Sequence, residues 1–356
     1  MAKLRLGVIG AGSWAIASHL PNIARRRDDV EFVAVSRLGS APLARVRDQF
    51  GLAVASEDYR DVLRAGIDIC VVSSPARLHY EHAKAALEAG AHVLVEKPMT
   101  IDSQQAWDLV RTATRLGRHG VVAFGWNYKP MIRRAKRLMD TGAGGGIGEI
   151  EHIAIHMASS TRDLLLNEGV YPDAAPEMVP DAVTWTDPAF SGGGYGQAQL
   201  SHALGLALWL TDVRGRDVFA FTSPHLAAIE LHDAVALRFD NGAIGTMSGG
   251  SVQRNADGDK HQLDVRAIGA GGQLHVDVER EVVRRFRPPH DDVNLEFQPD
   301  EGRYDCVGPV DTLIDLALGH EVENCSPLGL GARTVEILDA VYRSARSGVV
   351  EIIAAS

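Results

Sequence analysis

Short apolar runs alternate with helix-period segments from Leu4 to about Trp126, and this alternation constrains the fold more than any other feature of the chain. It is the pattern of βαβ units, which build parallel sheets. The predicted strands are Leu4–Ile9, Glu31–Ser36, Ile67–Ser73, His92–Glu96 and Gly120–Trp126. We therefore expect the first third of the chain to form a parallel, doubly wound α/β sheet.

A glycine-rich turn follows the first predicted strand. Gly10 permits a tight turn, Gly12 lets the backbone approach a pyrophosphate, and Ala15 is small enough for close packing of helix on strand. Ser13 and Trp14 begin the next helix, whose N–H groups can bind phosphate oxygens. An incidental glycine turn is the alternative, but the position at the first strand–helix junction favours a dinucleotide site.

The second predicted strand ends at Ser36 and Arg37, where NAD-preferring versions of this fold carry an Asp or Glu for the ribose 2′-hydroxyl. Ser36 lacks the charge that would repel a 2′-phosphate, and Arg37 supplies a planar cation that can pair with it or stack on adenine. We predict NADP as the preferred cofactor. NAD is the alternative if Arg37 is only a solvated surface residue.

The pattern changes after about Ile132, where longer alternating strands take over. Runs at 151–157, 229–239, 245–251, 263–268 and 273–278 predict an open, mainly antiparallel sheet, with a hairpin turn at Asp240–Gly242. An amphipathic stripe before Gly348 predicts a closing helix. The expected domains are a dinucleotide-binding Rossmann domain at 1–125, an α+β substrate and oligomerisation domain at 126–330, and a C-terminal helix and tail at 331–356 that packs back near the Rossmann domain.

Composition narrows the possible partners and the compartment. The formal charge of -10 gives no overall basic field, so nucleic acid is not an expected partner. No window has the apolar length of a membrane span or signal peptide, and Cys70, Cys306 and Cys325 do not suggest a disulfide framework. We expect a cytoplasmic protein without membrane contact. No metal site is predicted, because the pairs of histidines at spacings of three and four lack a third ligand.

Lys97 lies in Glu96-Lys97-Pro98 at the end of the fourth predicted strand, on the sheet edge where ligands of such folds bind. An ammonium there can donate to a substrate oxygen, and partial desolvation would lower its pKa towards a value useful for proton transfer. The residues that we assign to the cofactor site at this edge are Ser74, Pro75, His79, Glu96 and Lys97.

Several motifs occur together in a fixed order: Gly10-Ala11-Gly12, Pro75 with His79, Glu96-Lys97-Pro98, Asn127-Tyr128-Lys129-Pro130, Gly146-Ile147-Gly148-Glu149-Ile150, Gly192-Gly193-Gly194 ahead of His202, and Ser344-Ala345-Arg346-Ser347-Gly348. With them the chain resembles the glucose–fructose oxidoreductase / inositol dehydrogenase / MocA family over nearly its whole length. The resemblance implies a Rossmann domain and an open mixed sheet, with a homodimer or homotetramer formed through that sheet. It also implies hydride transfer between a nicotinamide and a carbinol or keto carbon of a sugar, cyclitol or related compound.

The resemblance assigns Lys97 as the active-site lysine, His202 as the histidine beside the substrate hydroxyl, and Tyr128 to the substrate site. On the residues alone, a histidine among leucines is as often a core residue as a catalyst. Many family members carry an Asp four residues before this histidine and another three after it, where this chain has Ala198 and Gly205. Gln199 offers an amide and is a candidate substrate contact.

In the expected mechanism, His202 or Lys97 takes the hydroxyl proton while hydride passes to the nicotinamide, and the ammonium of Lys97 stabilises charge on oxygen. Two alternatives stay open. One is a non-catalytic NAD(P)-binding sensor or scaffold. The other is an enzyme that uses bound cofactor in an internal oxidise–eliminate–reduce cycle on a glycoside. A long loop or lid at 162–190 is expected to influence which substrate enters.

Overall fold

The structure is a computed structural model that describes residues 2–140, 146–168, 179, 181–223, 228–252, 261–289 and 291–353. Within these residues the chain forms two sheets, one parallel and one mixed, with helices packed on both. The predicted fold class, a doubly wound α/β domain joined to an α+β domain with an open sheet, is confirmed.

The parallel sheet contains, in the described chain, the strands β1 (Leu4–Ile9), β2 (Val30–Ser36), β3 (Val54–Ser56), β4 (Ile69–Val72), β5 (His92–Val95) and β6 (Gly120–Val122). Their order is β3-β2-β1-β4-β5-β6. The order reverses between β1 and β4, so the carboxyl ends of these strands flank the crevice in which ligands of open α/β sheets bind. The prediction missed β3, whose three residues are all half-buried and show no apolar run.

The helices of this part are α1 (Leu20–Ala24), α2 (Ser40–Phe50), α3 (Tyr59–Arg64), α4 (His79–Glu88) and α5 (Ser103–Leu116). A wider, π-type turn at Ala15–His19 leads into α1. The carboxylate of Asp102 accepts the N–H of Gln105 at 2.8 Å and so caps α5.

The mixed sheet contains, among the described residues, β7 (Ile150–Ser159), β8 (Gly215–Ser223), β9 (His232–Phe239), β10 (Ile244–Ser251), β11 (Gln262–Gly269), β12 (Gly272–Asp277), β13 (Val282–Phe286), β14 (Val293–Leu295) and β15 (Glu351–Ile352). Their order is β14-β13-β12-β11-β7-β10-β9-β8-β15, and only the β7–β10 pairing among these is parallel. The predicted hairpin turn at Asp240–Gly242 joins β9 to β10. Sequence patterns missed β8 and β13; β13 places Arg285 on its buried face, where an apolar residue is expected.

The later helices are α6 (Pro130–Asp140), α7 (Arg162–Leu165), α8 (Val183–Thr186), α9 (Pro188–Ser191), α10 (Ser201–Thr211), α11 (Val307–Ala317) and α12 (Leu328–Ser347). The expected lid at 162–190 thus contains three short helices in its described part; residues 169–178 and 180 lie outside the described residues. No helix in the described ranges has the length and apolar character needed to cross a bilayer.

The last two helices connect the sheets. Val310 and Leu313 of α11 pack in the core formed by β1 and β4, although α11 lies inside the segment 126–330 that was assigned to the second domain. The closing helix α12 ends before Gly348 as predicted, and it packs on α5 of the first domain as well as on β8 and α10. The chain therefore returns to the Rossmann domain before residue 331.

The two glycines of the turn after β1 differ in how much space a side chain would have. Gly10 has φ +82°, and a Cβ atom there would lie 2.3 Å from backbone atoms of Ser74, which is closer than atoms can approach. A Cβ on Gly12 would meet no atom closer than the carbonyl oxygen of Gly10 at 3.9 Å. The fold therefore requires a glycine at residue 10, whereas at residue 12 no atom of the described residues would clash with a side chain.

We predict that Gly10→Ala destabilises the protein by about 2–4 kcal/mol, because it combines a left-handed φ with a backbone clash. Gly12→Ala is the matched variant in the same turn, and it should change the free energy of unfolding by less than about 0.5 kcal/mol. Denaturant melts of both variants measure the difference. Equal stabilities for the two variants would contradict the assigned packing of this turn.

Candidate active site

The loops after β1, β2 and β4 are tied together at the carboxyl edge of the parallel sheet. The carbonyl oxygen of Ser36 accepts the N–H groups of Gly10 and Ala11 at 2.9 and 3.1 Å. Arg37 donates from Nη1 to the carbonyl oxygen of Ala11 at 3.2 Å, and the hydroxyl of Ser73 donates to the carbonyl oxygen of Gly10 at 2.9 Å. The glycine turn and the Ser36–Arg37 pair, predicted separately, thus form one continuous surface.

His79 holds two further loops of this edge in place. Its Nδ1 lies 2.8 Å from the carbonyl oxygen of Pro98, and its Nε2 lies 2.6 Å from that of Ser74. The hydroxyl of Ser74 lies 2.9 Å from Nδ1 of His82. Both nitrogens of the buried His79 ring therefore face the protein, so this residue acts on the site through the loops that it joins.

Lys97 projects from the end of β5 towards the turn that precedes α10. Its Nζ donates to the carbonyl oxygen of Ala198 at 2.7 Å. Burial lowers the pKa of Lys97, and the opposing charge of Glu96 offsets only part of this effect. The ammonium is thus fixed by one backbone acceptor in a setting that makes its proton easier to remove than in water.

Glu96 is held by two hydrogen bonds. Oε1 lies 2.7 Å from Nε2 of His19, and Oε2 accepts the backbone N–H of Lys97 at 3.0 Å. Burial alone would raise the pKa of the Glu96 carboxyl, but these bonds and the charge of Lys97 bring it below its usual value. An ionised carboxylate is therefore stable here despite its burial.

His202 lies on α10 inside a wall of aromatic rings. Its ring centroid is 5.1 Å from those of Trp126 and Tyr304 and 6.1 Å from that of Phe124, all at steep angles. Burial is the main reason why the pKa of His202 lies well below its ordinary value, and the charge of Lys97 lowers it further. The imidazole is thus neutral at physiological pH, and its buried Nδ1 has no hydrogen-bond partner among the described residues.

Other groups lie where the family resemblance leads us to expect two carboxylates around this histidine. At Ala198 the backbone carbonyl oxygen, rather than a side chain, accepts the hydrogen bond from Nζ of Lys97. At Gly205 a Cβ atom would lie 2.9 Å from the ring of Phe124. The aromatic wall therefore excludes an aspartate at residue 205.

The triple-glycine turn ahead of α10 is anchored by a buried carboxylate. Oε1 of Glu230 accepts the N–H groups of Gly194 and Gly196 at 2.9 Å and the hydroxyl of Tyr342 at 2.6 Å. These bonds fix the π-type turn at Gly196–Leu200, which carries Ala198 and leads into the helix of His202. Glu230 thus determines indirectly where the Lys97 acceptor and the His202 ring lie.

The remaining predicted site residues differ in how far their side chains are buried and in what they contact. Gln199 is half-buried in the turn before His202. Trp14 is 39% exposed on the glycine turn and stacks on Tyr304, with ring centroids 6.0 Å apart. The Tyr128 hydroxyl is bonded to Asn324 and Ser326 at 3.0 and 2.8 Å, so the protein already uses it.

Sequence reasoning missed several residues of this site: His19, Phe124, Trp126, Glu230, Tyr304 and Tyr342. His19 carried a weak signal, since it lies four residues after Ala15 on the buried face of the first helix. Tyr304 carried none, because it comes from a polar segment without periodicity and reaches the site from about 100 residues beyond His202. Only tertiary contacts bring it there.

Two groups of three potential metal ligands occur within the described residues: His19, Glu96 and Cys306, and Asp264, His275 and Asp277. In each group the histidine Nε2 is hydrogen-bonded to a carboxylate, at 2.7 and 2.5 Å. These contacts engage the Nε2 atom of each histidine. The absence of a metal site stays a prediction.

Comparison with known proteins identifies both halves of the chain. Residues 4–124 match the family model described as an oxidoreductase family with an NAD-binding Rossmann fold. Residues 132–275 match the C-terminal domain of the GFO/IDH/MocA family. The two matches agree with the parallel sheet and with the core strands of the mixed sheet.

Individual relatives agree with these matches. A 1-carboxy-3-chloro-3,4-dihydroxycyclohexa-1,5-diene dehydrogenase of Comamonas testosteroni is 29% identical over 258 residues, which cover 71% of this chain and 60% of that protein. A D-glucoside 3-dehydrogenase of Escherichia coli strain K12 is 37% identical over 152 residues, 42% of each chain. The matched regions thus span less than two thirds of either relative.

Among solved structures, a levoglucosan dehydrogenase in complex with NADH and levoglucosan superimposes with a TM-score of 0.79 at 19% identity, over 99% of this chain and 100% of that one. At this identity the match establishes a shared fold. The two family matches show that the chain belongs to the Gfo/Idh/MocA family of oxidoreductases.

Proposed function

We propose that this protein is an NAD(P)-dependent dehydrogenase or reductase that acts on a carbinol or keto carbon of a sugar, cyclitol or related polyhydroxylated compound. The observation that carries the proposal is the meeting of a desolvated ammonium, Lys97, with a neutral imidazole, His202, at the carboxyl edge of the parallel sheet. The relatives support the substrate class, since one is named for a ring diol and another for a glucoside.

The residues at this edge suit a dinucleotide. The free space beside Gly12 leaves room for a pyrophosphate against the backbone, and the helix that starts at Ser13 and Trp14 points its N–H groups there. Ser36 and Arg37 lie at the end of β2, on the adenosine side in folds of this type. When bound, the nicotinamide supplies the acceptor or donor of hydride.

In the proposed reaction the protein groups handle the proton and the charge. The ammonium of Lys97 donates a hydrogen bond to the substrate oxygen and stabilises negative charge as it develops. His202 is uncharged at physiological pH and therefore able to accept the hydroxyl proton in oxidation. The aromatic wall of Phe124, Trp126 and Tyr304 excludes water from the reacting oxygen.

We predict that Lys97→Met lowers turnover by a factor on the order of 100 or more, with little change in cofactor affinity, because the lost charge acts mainly in the transition state. The assay is a screen of sugars, cyclitols and their keto forms with both cofactors. Lys84→Met is the matched control, since Lys84 is bonded to Asp108 between α4 and α5. Unchanged turnover in Lys97→Met would contradict the assigned role of this lysine.

The same screen separates the alternatives. Cofactor binding without turnover on any substrate would favour a sensor or scaffold. Turnover on a glycoside with tightly held cofactor and no net change in its redox state would favour the internal oxidise–eliminate–reduce cycle. Net reduction or oxidation of the cofactor by a polyhydroxylated substrate supports the dehydrogenase.

Within the NAD(P) site we propose a preference for NADP. Ser36 brings no negative charge to the end of β2, and the guanidinium of Arg37 lies beside the glycine turn through its bond to Ala11. A 2′-phosphate gains a charge-assisted contact at such a site, whereas NAD does not.

We expect the dissociation constant of NADPH to be lower than that of NADH, and Arg37→Ala to weaken NADPH binding by about tenfold while changing NADH binding little. Titration of cofactor fluorescence measures both constants. The neighbouring cation Arg45 provides a control, since Arg45→Ala removes a charge of the same sign from α2. A clearly lower constant for NADH in the unaltered protein would overturn the NADP preference.

We also propose a homodimer or homotetramer formed through the open face of the mixed sheet. A row of directly opposed residues crosses that face through Ile244 on β10, Ile268 on β11 and Phe286 on β13, which are 56%, 42% and 49% exposed. Exposed apolar side chains in one row favour contact with a second surface. A monomeric mass in solution would contradict this proposal.

A cytoplasmic location is proposed on the cysteines. Cys70, Cys306 and Cys325 are buried free thiols, as a reducing compartment permits. A disulfide found in the native protein would contradict this location.

A further inference from the structure

His19 is a buried polar residue at this site whose role the proposed reaction leaves unexplained. It lies on the helix that follows the glycine turn, its side chain is fully buried, and its Nε2 lies 2.7 Å from Oε1 of Glu96. The same carboxylate accepts the Lys97 N–H through Oε2. The hydrogen bonds therefore run from the helix after the glycine turn through Glu96 to the backbone N–H of Lys97, and the charge of Glu96 acts on the Lys97 ammonium.

This contact favours the ionised form of Glu96. Burial is the largest influence on the Glu96 pKa and raises it, and the His19 hydrogen bond is the largest influence that lowers it. Without His19 a buried carboxyl with fewer hydrogen bonds favours its neutral form. The Lys97 ammonium would then lose the anion that opposes its own desolvation.

The other titratable groups that face Glu96 and Lys97 are His79 on α4, His202 on α10, and Tyr304 and Cys306 before α11. Burial raises the pKa of Cys306 to about 12 and that of Tyr304 well above its ordinary value, and it lowers the pKa values of His79 and His202. Burial thus favours the uncharged form of all four groups, and only at His79 do two backbone carbonyl oxygens act in the opposite direction. Glu96 is the anion in this group that acts on Lys97.

We propose that His19 is a positioning residue for the reaction: it holds the Glu96 carboxylate ionised and in place, and through it keeps Lys97 protonated at the substrate oxygen. The inference rests on the proposed function, because it assigns His19 a role in the chemistry of Lys97. The His19–Glu96 contact links the helix after the glycine turn to the charge of Lys97. His19 itself contacts neither substrate nor reacting atoms in this role.

We predict that His19→Leu lowers turnover in the reduction of a keto substrate about tenfold and moves the alkaline limb of the pH profile to lower pH by on the order of one unit. The sign follows from the charges: a neutral Glu96 no longer supports the ammonium, so Lys97 loses its proton at lower pH. Glu96→Gln removes the anion directly and sets the largest shift that His19→Leu can produce.

Two further variants separate positioning from folding. His19→Gln retains an N–H donor for Glu96, so its alkaline limb should return close to that of the unaltered protein. His320→Leu removes an exposed histidine beside Asp315 at the end of α11 and should leave the profile unchanged. A loss of activity in His19→Leu without movement of the limb, or no recovery in His19→Gln, would overturn the proposal.

A second measurement does not depend on turnover. Competitive labelling with acetic anhydride, followed by mass spectrometry of the Lys97 peptide, reports the titration of this amine in each variant. The expected result is a lower titration midpoint in His19→Leu and Glu96→Gln than in His19→Gln and the unaltered protein. Equal midpoints would refute the role of His19, whereas absence of turnover in the unaltered protein with shifted midpoints would refute only the proposed function.

Discussion

The site depends on one hydrogen bond, from Nζ of Lys97 to the carbonyl oxygen of Ala198 at 2.7 Å. A buried ammonium is costly unless hydrogen bonds and a nearby anion replace its hydration. This bond connects the carboxyl end of β5, in the parallel sheet, to the turn that starts α10. The two sides of the reacting site are thus held at a fixed separation by the charge that the reaction uses.

Two buried carboxyl groups, one on each side of this hydrogen bond, hold its donor and its acceptor in place. Glu96, itself held by His19, provides the anion next to Lys97. Glu230 holds the glycine turn that presents the Ala198 carbonyl. Both carboxyl groups are buried, and two donors bind Glu96 and three bind Glu230, as buried polar groups require. The absence of an aspartate at residue 198 therefore does not leave Lys97 without an acceptor.

In the proposed reaction, the same arrangement decides how Lys97 and His202 share the proton transfer and the stabilisation of charge. Burial and the nearby ammonium both lower the pKa of His202, and a carboxylate that would raise it is replaced at Gly205 by the ring of Phe124. His202 is thereby a neutral but weak base. We infer that stabilisation of the substrate oxygen by Lys97 contributes more to the rate than proton removal by His202.

Much of this could be predicted from the sequence, because the signals are local. Gly10, Lys97 and the Ser36–Arg37 pair each follow a predicted strand, and the carboxyl ends of parallel strands share one edge. Tyr304 and the His19–Glu96 contact could not be predicted, since they depend on packing between segments 77 or more residues apart. The strand β13 was missed for a different reason: its buried face carries the charged Arg285, paired with Asp291, where the alternating pattern of a strand needs an apolar residue.

Transfer of deuterium from the nicotinamide tests directly whether this protein transfers hydride to a keto carbon. Cofactor deuterated at nicotinamide C4, as NADPH and as NADH, is incubated with the protein and a panel of keto sugars and keto cyclitols. We expect product that carries deuterium on the new carbinol carbon, formed more slowly when the charge of Lys97 is removed. Bound cofactor that transfers no deuterium to any member of the panel would contradict it.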